Sequence, residues 1–213
     1  MSDDLKHDPA MVKAIQSATI QHVKAMVPGL QKIIIFSDGA PTHYKARVPF
    51  HHLSVTDDGI EVERCFFGSR HGKSECDATG AVVKQALDVD IREGAVIQCA
   101  KEMVEHCNRM HTLPKEPISG CCHTRRNFHL VVEESLKVDR NLLSKDVDPV
   151  PGTRKIHSIR RLKDHVLATR KLSCFCTACI IGEYDNCQND LPWEVVKLGP
   201  CISLMEQLRE CSL

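Results

Sequence analysis

The chain has 213 residues, enough to bury a sizeable core in one or two domains, and its 42% hydrophobic and 26% charged content is that of an ordinary globular protein. Lys plus Arg and Asp plus Glu balance at 28 each, which excludes a globally basic nucleic-acid-binding surface, so any such surface has to be local. The opening residues, Met1-Ser2-Asp3-Asp4, are acidic and no apolar run is long enough to cross a bilayer; secretion and membrane insertion are not expected, and an intracellular location, nuclear or cytoplasmic, is. In that reducing setting the 12 cysteines are expected as buried apolar residues, metal ligands or nucleophiles rather than as disulfides.

Asp8-Pro9 has the chemistry of a helix start, an acid to cap and a proline in the first turn. Met11, Val12, Ile15, Thr19, Val23 and Met26 follow at steps of three and four and predict one apolar helical face ending at Pro28-Gly29. Ile33 to Phe36 is a short unbroken apolar run that stops at Ser37-Asp38-Gly39-Ala40-Pro41, as expected of a strand buried on both faces and ending in a carboxylate. Pro41 then opens a helix through Leu53, and Gly59 to Phe67 reads as a second strand with one partly exposed face. His71-Gly72-Lys73 leads into a helix carrying Asp77. The helix-length segment between the two strands predicts that they lie side by side and parallel, because a crossover helix joins strands that way.

In such a β-α-β-α unit, reacting groups collect at the carboxyl ends of the parallel strands. Asp38 and Asp77 therefore have two readings: a pair of carboxylates converging on a divalent cation, or a helix cap and a solvated first-turn acid. Lys45 and Arg47 likewise read either as contacts to a phosphate backbone or as solvated basic residues.

The ordered set Phe36-Ser37-Asp38-Gly39-Ala40-Pro41, Tyr44-Lys45-Ala46-Arg47, Phe66-Phe67-Gly68, and His71-Gly72-Lys73 with Asp77, Gly80 and Lys84 resembles transposase-derived animal proteins with a ribonuclease-H-like core. The resemblance implies a partial core of that type, with Asp38 and Asp77 as ligands for Mg or Mn in phosphodiester transfer or hydrolysis, and His71 and Lys73 beside the nucleic acid. It also implies earlier strands bearing a first catalytic acid. The thirty or so residues before Ile33 read as a helix with a polar tail, so this chain alone is expected not to cleave or join DNA.

From Ile91 to Met110 the apolar residues recur at helical steps and predict one long amphipathic helix with Cys99 and Cys107 in its core. Leu113-Pro114 and Glu116-Pro117 mark a boundary, dividing the chain into a partial core at 1–112 and a mixed region at 113–213. Asn127 to Val132 reads as a strand preceded by Cys121-Cys122-His123, and 145–153 as a loop. Between Arg154 and Lys171, Arg154, Lys155, Arg160, Arg161, Lys163, Arg170 and Lys171 stand against Asp164 alone. This basic concentration suits phosphates, or a solvated face, and carries no interleaved aromatics to stack bases.

Cys174, Cys176, Cys179 and Cys187 place four thiols within fourteen residues, the number a tetrahedral structural zinc needs, in a module spanning 172–193. His157, His165 or Cys201 are alternative fourth ligands, and a plain cysteine-rich loop is the bland reading. Trp193 to Leu198 suits a strand and Ser203 to Cys211 a short helix. The expected architecture is α/β: a partial ribonuclease-H-like core with a preceding helix, plus a small cysteine-rich α+β module. Two functions follow, an incomplete nuclease- or integrase-like protein inactive by itself, or a non-catalytic module with a structural zinc site that binds nucleic acid or protein.

Overall fold

The computed structural model describes residues 1–4, 6, 8–56, 58–68, 75–113, 126–132 and 147–199. They form two compact units that interleave in sequence, one built from 1–6 and 73–135 and the other from 7–72 and 136–213, so the boundary expected near residue 112 falls inside the first. The larger unit is mixed α/β. A five-stranded sheet in the order β1-β2-β3-β4-β5 is formed by β1 (Lys32–Ser37), β2 (Glu61–Phe66), β3 (Ser158–Lys163), β4 (Val166–Arg170) and β5 (Glu194–Lys197).

β1 and β2 run parallel, in register from Lys32 opposite Glu61 to Ser37 opposite Phe66, as the segment between them required. The remaining pairs are antiparallel. Helix α1 (Pro9–Met26) begins where expected, with the Asp8 carboxylate accepting from the Met11 N–H at 3.1 Å. Helix α2 (Arg47–Val55) starts later than Pro41, after a turn in which the amides of His43, Tyr44 and Lys45 all donate to the Ala40 carbonyl. Ile20, Phe50, Leu53, Val62, Phe66, Ile156, Ile159 and Leu167 make the core between these helices and the sheet. Each such side chain withdrawn from water contributes roughly 1.5–3 kcal/mol.

Two strand readings change. β1 is an edge strand rather than one buried on both faces, and Phe36 is 47% exposed. β2, expected to have a partly exposed face, is buried from Val62 through Phe66, including Glu63 and Arg64. Both charged side chains have partners that offset their burial: the Arg64 guanidinium donates through Nη1 to the Pro49 carbonyl at 3.0 Å, although its Nε is left without a partner among the described residues, and Glu63 sits among Lys32, Ser158 and Tyr184. Burial lowers the Arg64 pKa to about 10, still leaving it charged at neutral pH.

In the smaller unit the helix expected to carry Asp77 runs on to Arg92, and the long helix expected from Ile91 begins only at Ala100. Helix α3 (Glu75–Arg92) ends at Gly94, whose φ of +103° turns the chain out of the helix, and α4 (Ala100–Met110) restarts after Cys99. Cys107 is buried as expected, whereas Cys99 caps the second helix and Val96 is 76% exposed. Asn127 to Val132 is not a strand, although the Val131 amide donates to the Met1 carbonyl and Asn108 exchanges hydrogen bonds with the Phe128 backbone. The Cys121-Cys122-His123 and Ser203–Cys211 readings lie outside the described residues. Among the described residues no helix is long and apolar enough to cross a membrane.

Candidate functional site

The cysteine-rich segment folds against the end of β4. After Arg170 the chain passes Cys174, reaches Cys176 as the cap of helix α5 (Thr177–Ile181), stops at Gly182 and turns through Tyr184–Asn186 to Cys187. The four sulfurs lie within 4.8 Å of one another, with Cys174 and Cys187 3.7 Å apart and all four thiols free. The group can hold a metal ion.

Every sulfur also has a hydrogen-bond donor. Asn189 Nδ2 reaches Cys174 Sγ at 3.1 Å and Arg170 Nη1 reaches Cys179 Sγ at 3.2 Å. Backbone N–H groups of Cys179 and Gln188 serve Cys176, and those of Leu191 and Asn189 serve Cys187. Donors aimed at sulfur favour the thiolate, and they lower Cys187 to about 6. Cys179 is pushed up to about 12 by burial, against the pull of Arg170. His157 and His165 are not in this group: His157 Nδ1 contacts the Phe66 carbonyl at 3.0 Å, and His165 packs on His51. Cys201 lies outside the described residues.

A network of charges and rings fastens this centre to the sheet. Lys32 Nζ makes an ion pair with Glu63 at 2.9 Å and donates to the Cys179 carbonyl at 2.6 Å and to Tyr184 Oη at 2.8 Å. The Tyr184 hydroxyl donates to Glu61 and lies 3.2 Å from Glu63. Arg160 stacks 3.8 Å from the centre of the Tyr184 ring, and Arg170 lies 4.1 Å from that of Trp193. Arg160, Arg170 and, through its bonds to Ser54 and Asp164, Arg161 are thus engaged inside the fold. Arg154 and Lys155 are exposed.

A cleft of about 630 Å³ opens at the carboxyl ends of β1 and β2, between Asp38, Lys45, Phe67, Arg154 and His157. The Lys45 chain crosses directly over Gly39, where an added Cβ would stand 2.7 Å from its Cε, so glycine is needed for the lysine to take this path. Its ammonium lies 5.0 Å from the centre of the Phe66 ring, and burial lowers its pKa. Beside the cleft, Phe67 stacks on Phe36 at 5.7 Å, and Phe36 meets Phe175 at 5.3 Å. Phe36 and Phe175 are 47% and 45% exposed, giving an open aromatic platform.

The sequence-predicted residues distribute as follows. Asp38, Lys45 and Arg154 come together in the cleft. Arg47 is exposed at the start of α2, and Asp77 is exposed in the first turn of α3, in the other compact unit. His71 and Lys73 lie outside the described residues. The aromatic platform, the place of His157 in the cleft, and a group of Asp90, His106 and His111 in the smaller unit were not read from spacing.

A family described as Domain of unknown function (DUF8701) matches residues 1–173. The chain belongs to this family. The matched span holds the cleft, Phe36 and Phe67 as well as Asp90, His106 and His111, and it ends one residue before Cys174. No curated protein and no solved structure matches the chain.

Proposed function

We propose that this chain is a nucleic-acid-binding module, transposase-derived and with an incomplete ribonuclease-H-like core, that holds a single strand in the cleft and does not cut it alone. The observation that carries the reading is the pairing of the cationic cleft with the exposed Phe36–Phe67–Phe175 platform. Lys45, Arg154 and His157 face the same space as a lone carboxylate, Asp38, among the described lining residues. That balance suits a phosphate backbone better than a pair of Mg or Mn ions, which one acid holds poorly. The rings supply faces on which unpaired bases stack, a contact that a duplex, with its bases already stacked, cannot use.

The cysteine centre serves this module as a structural zinc site. Zinc–sulfur bonds of about 2.3 Å in a tetrahedron set sulfurs about 3.8 Å apart, close to the Cys174–Cys187 separation of 3.7 Å. Arg170, donating to Cys179, offsets part of the negative charge of four thiolates. A role in binding protein instead is the alternative outcome of the test.

The test is fluorescence anisotropy with a labelled single-stranded oligonucleotide and its duplex at several salt concentrations. The single strand is expected to bind at least about tenfold more tightly, consistent with stacking of one or two bases. Equal affinity for both forms, no binding at low salt, or Mn2+-dependent nicking lost in Asp38→Asn would overturn the proposal. Elemental analysis checks the metal, with at least one zinc per chain expected and none contradicting it.

A further inference from the structure

We propose that Asp90, His106 and His111 form a second divalent-metal site, of imidazole and carboxylate chemistry, in the smaller unit. His106 Nε2 and His111 Nε2 approach the same oxygen, Asp90 Oδ2, at 2.7 and 2.5 Å. The three donor atoms lie within 4.8 Å of one another, and the side chains are 11%, 4% and 9% exposed for His106, His111 and Asp90. The site is independent of the nucleic-acid reading, because it uses none of the residues of the cleft.

The local fold explains how three residues so far apart in sequence meet. Asp90 stands in the last turn of α3, the amide of Ala95 donates to the Asp90 carbonyl as the chain leaves that helix, and α4 returns to bring His106 a turn before its end and His111 at its C-cap. Two imidazole nitrogens and a carboxylate oxygen make the donor set that suits zinc and neighbouring first-row ions. Bonds of about 2.0–2.1 Å in a tetrahedron put donor atoms about 3.3 Å apart, so each ring would need to withdraw by less than about 1 Å. Three protein donors leave a fourth position for water. This centre differs in class from the all-sulfur cluster, and a cation's softness separates the two.

One neighbour works against the ion. The Arg109 Nη2 lies 3.3 Å from His106 Nδ1, and a guanidinium can only donate there. It therefore favours the His106 tautomer that carries its proton on Nε2, the atom that would have to bind metal with a lone pair. Ligating histidines normally donate from the far nitrogen to an acceptor. Arg109 is exposed, so replacing it tests the metal without touching a ligand or the core.

The experiment is titration of the metal-stripped full-length chain with Co2+, followed by absorption and by equilibrium dialysis. The expected result is two equivalents, one with thiolate-to-cobalt charge-transfer bands from the cysteine centre and one with weak ligand-field bands alone. Asp90→Asn and His111→Gln should each abolish the second equivalent while the thiolate bands persist. Arg109→Glu, which offers His106 Nδ1 an acceptor, should tighten it about tenfold, the scale of such outer contacts. Binding confined to the thiolate bands, or a second equivalent retained in both ligand variants, would overturn the proposal in favour of a plain Asp–His hydrogen-bond network. If the ligand variants do not fold by circular dichroism, an unchanged affinity in Arg109→Glu is decisive against it. A chain that shows the ligand-field equivalent without thiolate bands would uphold this site while refuting the zinc reading of the cysteines.

Discussion

The cysteine centre and the cleft, both in the larger unit, are built in opposite ways. The first is closed: four sulfurs from one short segment, each with its own donor, are held to the sheet through Lys32, Glu63, Tyr184, Arg160 and Arg170. The two guanidinium groups rest on the rings of Tyr184 and Trp193, which leaves Arg160 Nε, Arg170 Nε and Arg170 Nη2 buried without a hydrogen bond among the described residues. The second is open. It draws Asp38 and Lys45 from the segment after β1, Phe67 from the end of β2 and Arg154 and His157 from the approach to β3, and its lysine has no carboxylate within ion-pair distance among the described residues. A closed centre with a donor at every sulfur serves structure; Lys45, an ammonium buried at the wall of a cleft without such a carboxylate beside it, is a charge that an anionic ligand can partner. The contrast predicts stability effects at the first region and binding effects at the second.

The largest effect should come from Cys179→Ser. It removes the most buried of the four sulfurs and the partner of Arg170, and loss of a metal ligand belongs to the changes that cost more than about 4 kcal/mol. Urea unfolding with zinc present is expected to show that loss, while a change under about 1 kcal/mol would mean that the cluster is not a metal centre.

Next in size is Glu63→Ala, which tests whether the centre and the sheet are one structural element. It strands Lys32 and takes the acceptor from Ser158, and leaving one member of a buried ion pair alone costs about 3–5 kcal/mol. Thermal melting should fall accordingly and zinc release become faster. If melting falls but zinc release does not change, the network supports the sheet without supporting the centre.

Phe36→Ala should reverse the pattern. The ring is half exposed, so stability should change little, whereas single-strand affinity should drop by about 1–3 kcal/mol, the contribution of stacking one base. Anisotropy showing unchanged affinity would remove the platform from the site.

The smallest effect concerns Lys45. Neutralising it in Lys45→Gln should lower the salt slope of binding by about one phosphate contact. Burial lowers its pKa, so the protonated form that attracts phosphate is lost as pH rises, earlier than for an ordinary lysine. Binding should therefore weaken on the alkaline side, and Lys45→Arg should remove that dependence because a guanidinium stays charged. A profile identical in both proteins would show that Lys45 does not contact the nucleic acid.

Local rules were enough for the helix cap at Asp8, the parallel pairing of Ile33–Phe36 with the strand near Arg64, and the convergence of four cysteines. In each case the partners are close in sequence or the linker length leaves few alternatives. The same rules misjudged the Ile91–Met110 stretch, because a helical period continues through Gly94 while the backbone at that glycine does not. They also could not assign the basic run at 154–171. Arg160 and Arg170 fall to aromatic rings, Arg161 to Asp164 and Lys171 to Glu194, leaving Arg154 at the cleft and Lys155 and Lys163 on the surface. By itself the amino-acid sequence determined which residues carry chemistry and, where ligands lie within a turn or two, that they meet. Only the tertiary structure decided which charges are buried, that Phe36, Phe67 and Phe175 share a surface, and that Asp90 faces His106 and His111. Those outcomes depend on contacts between distant segments, whose free energy no local spacing encodes.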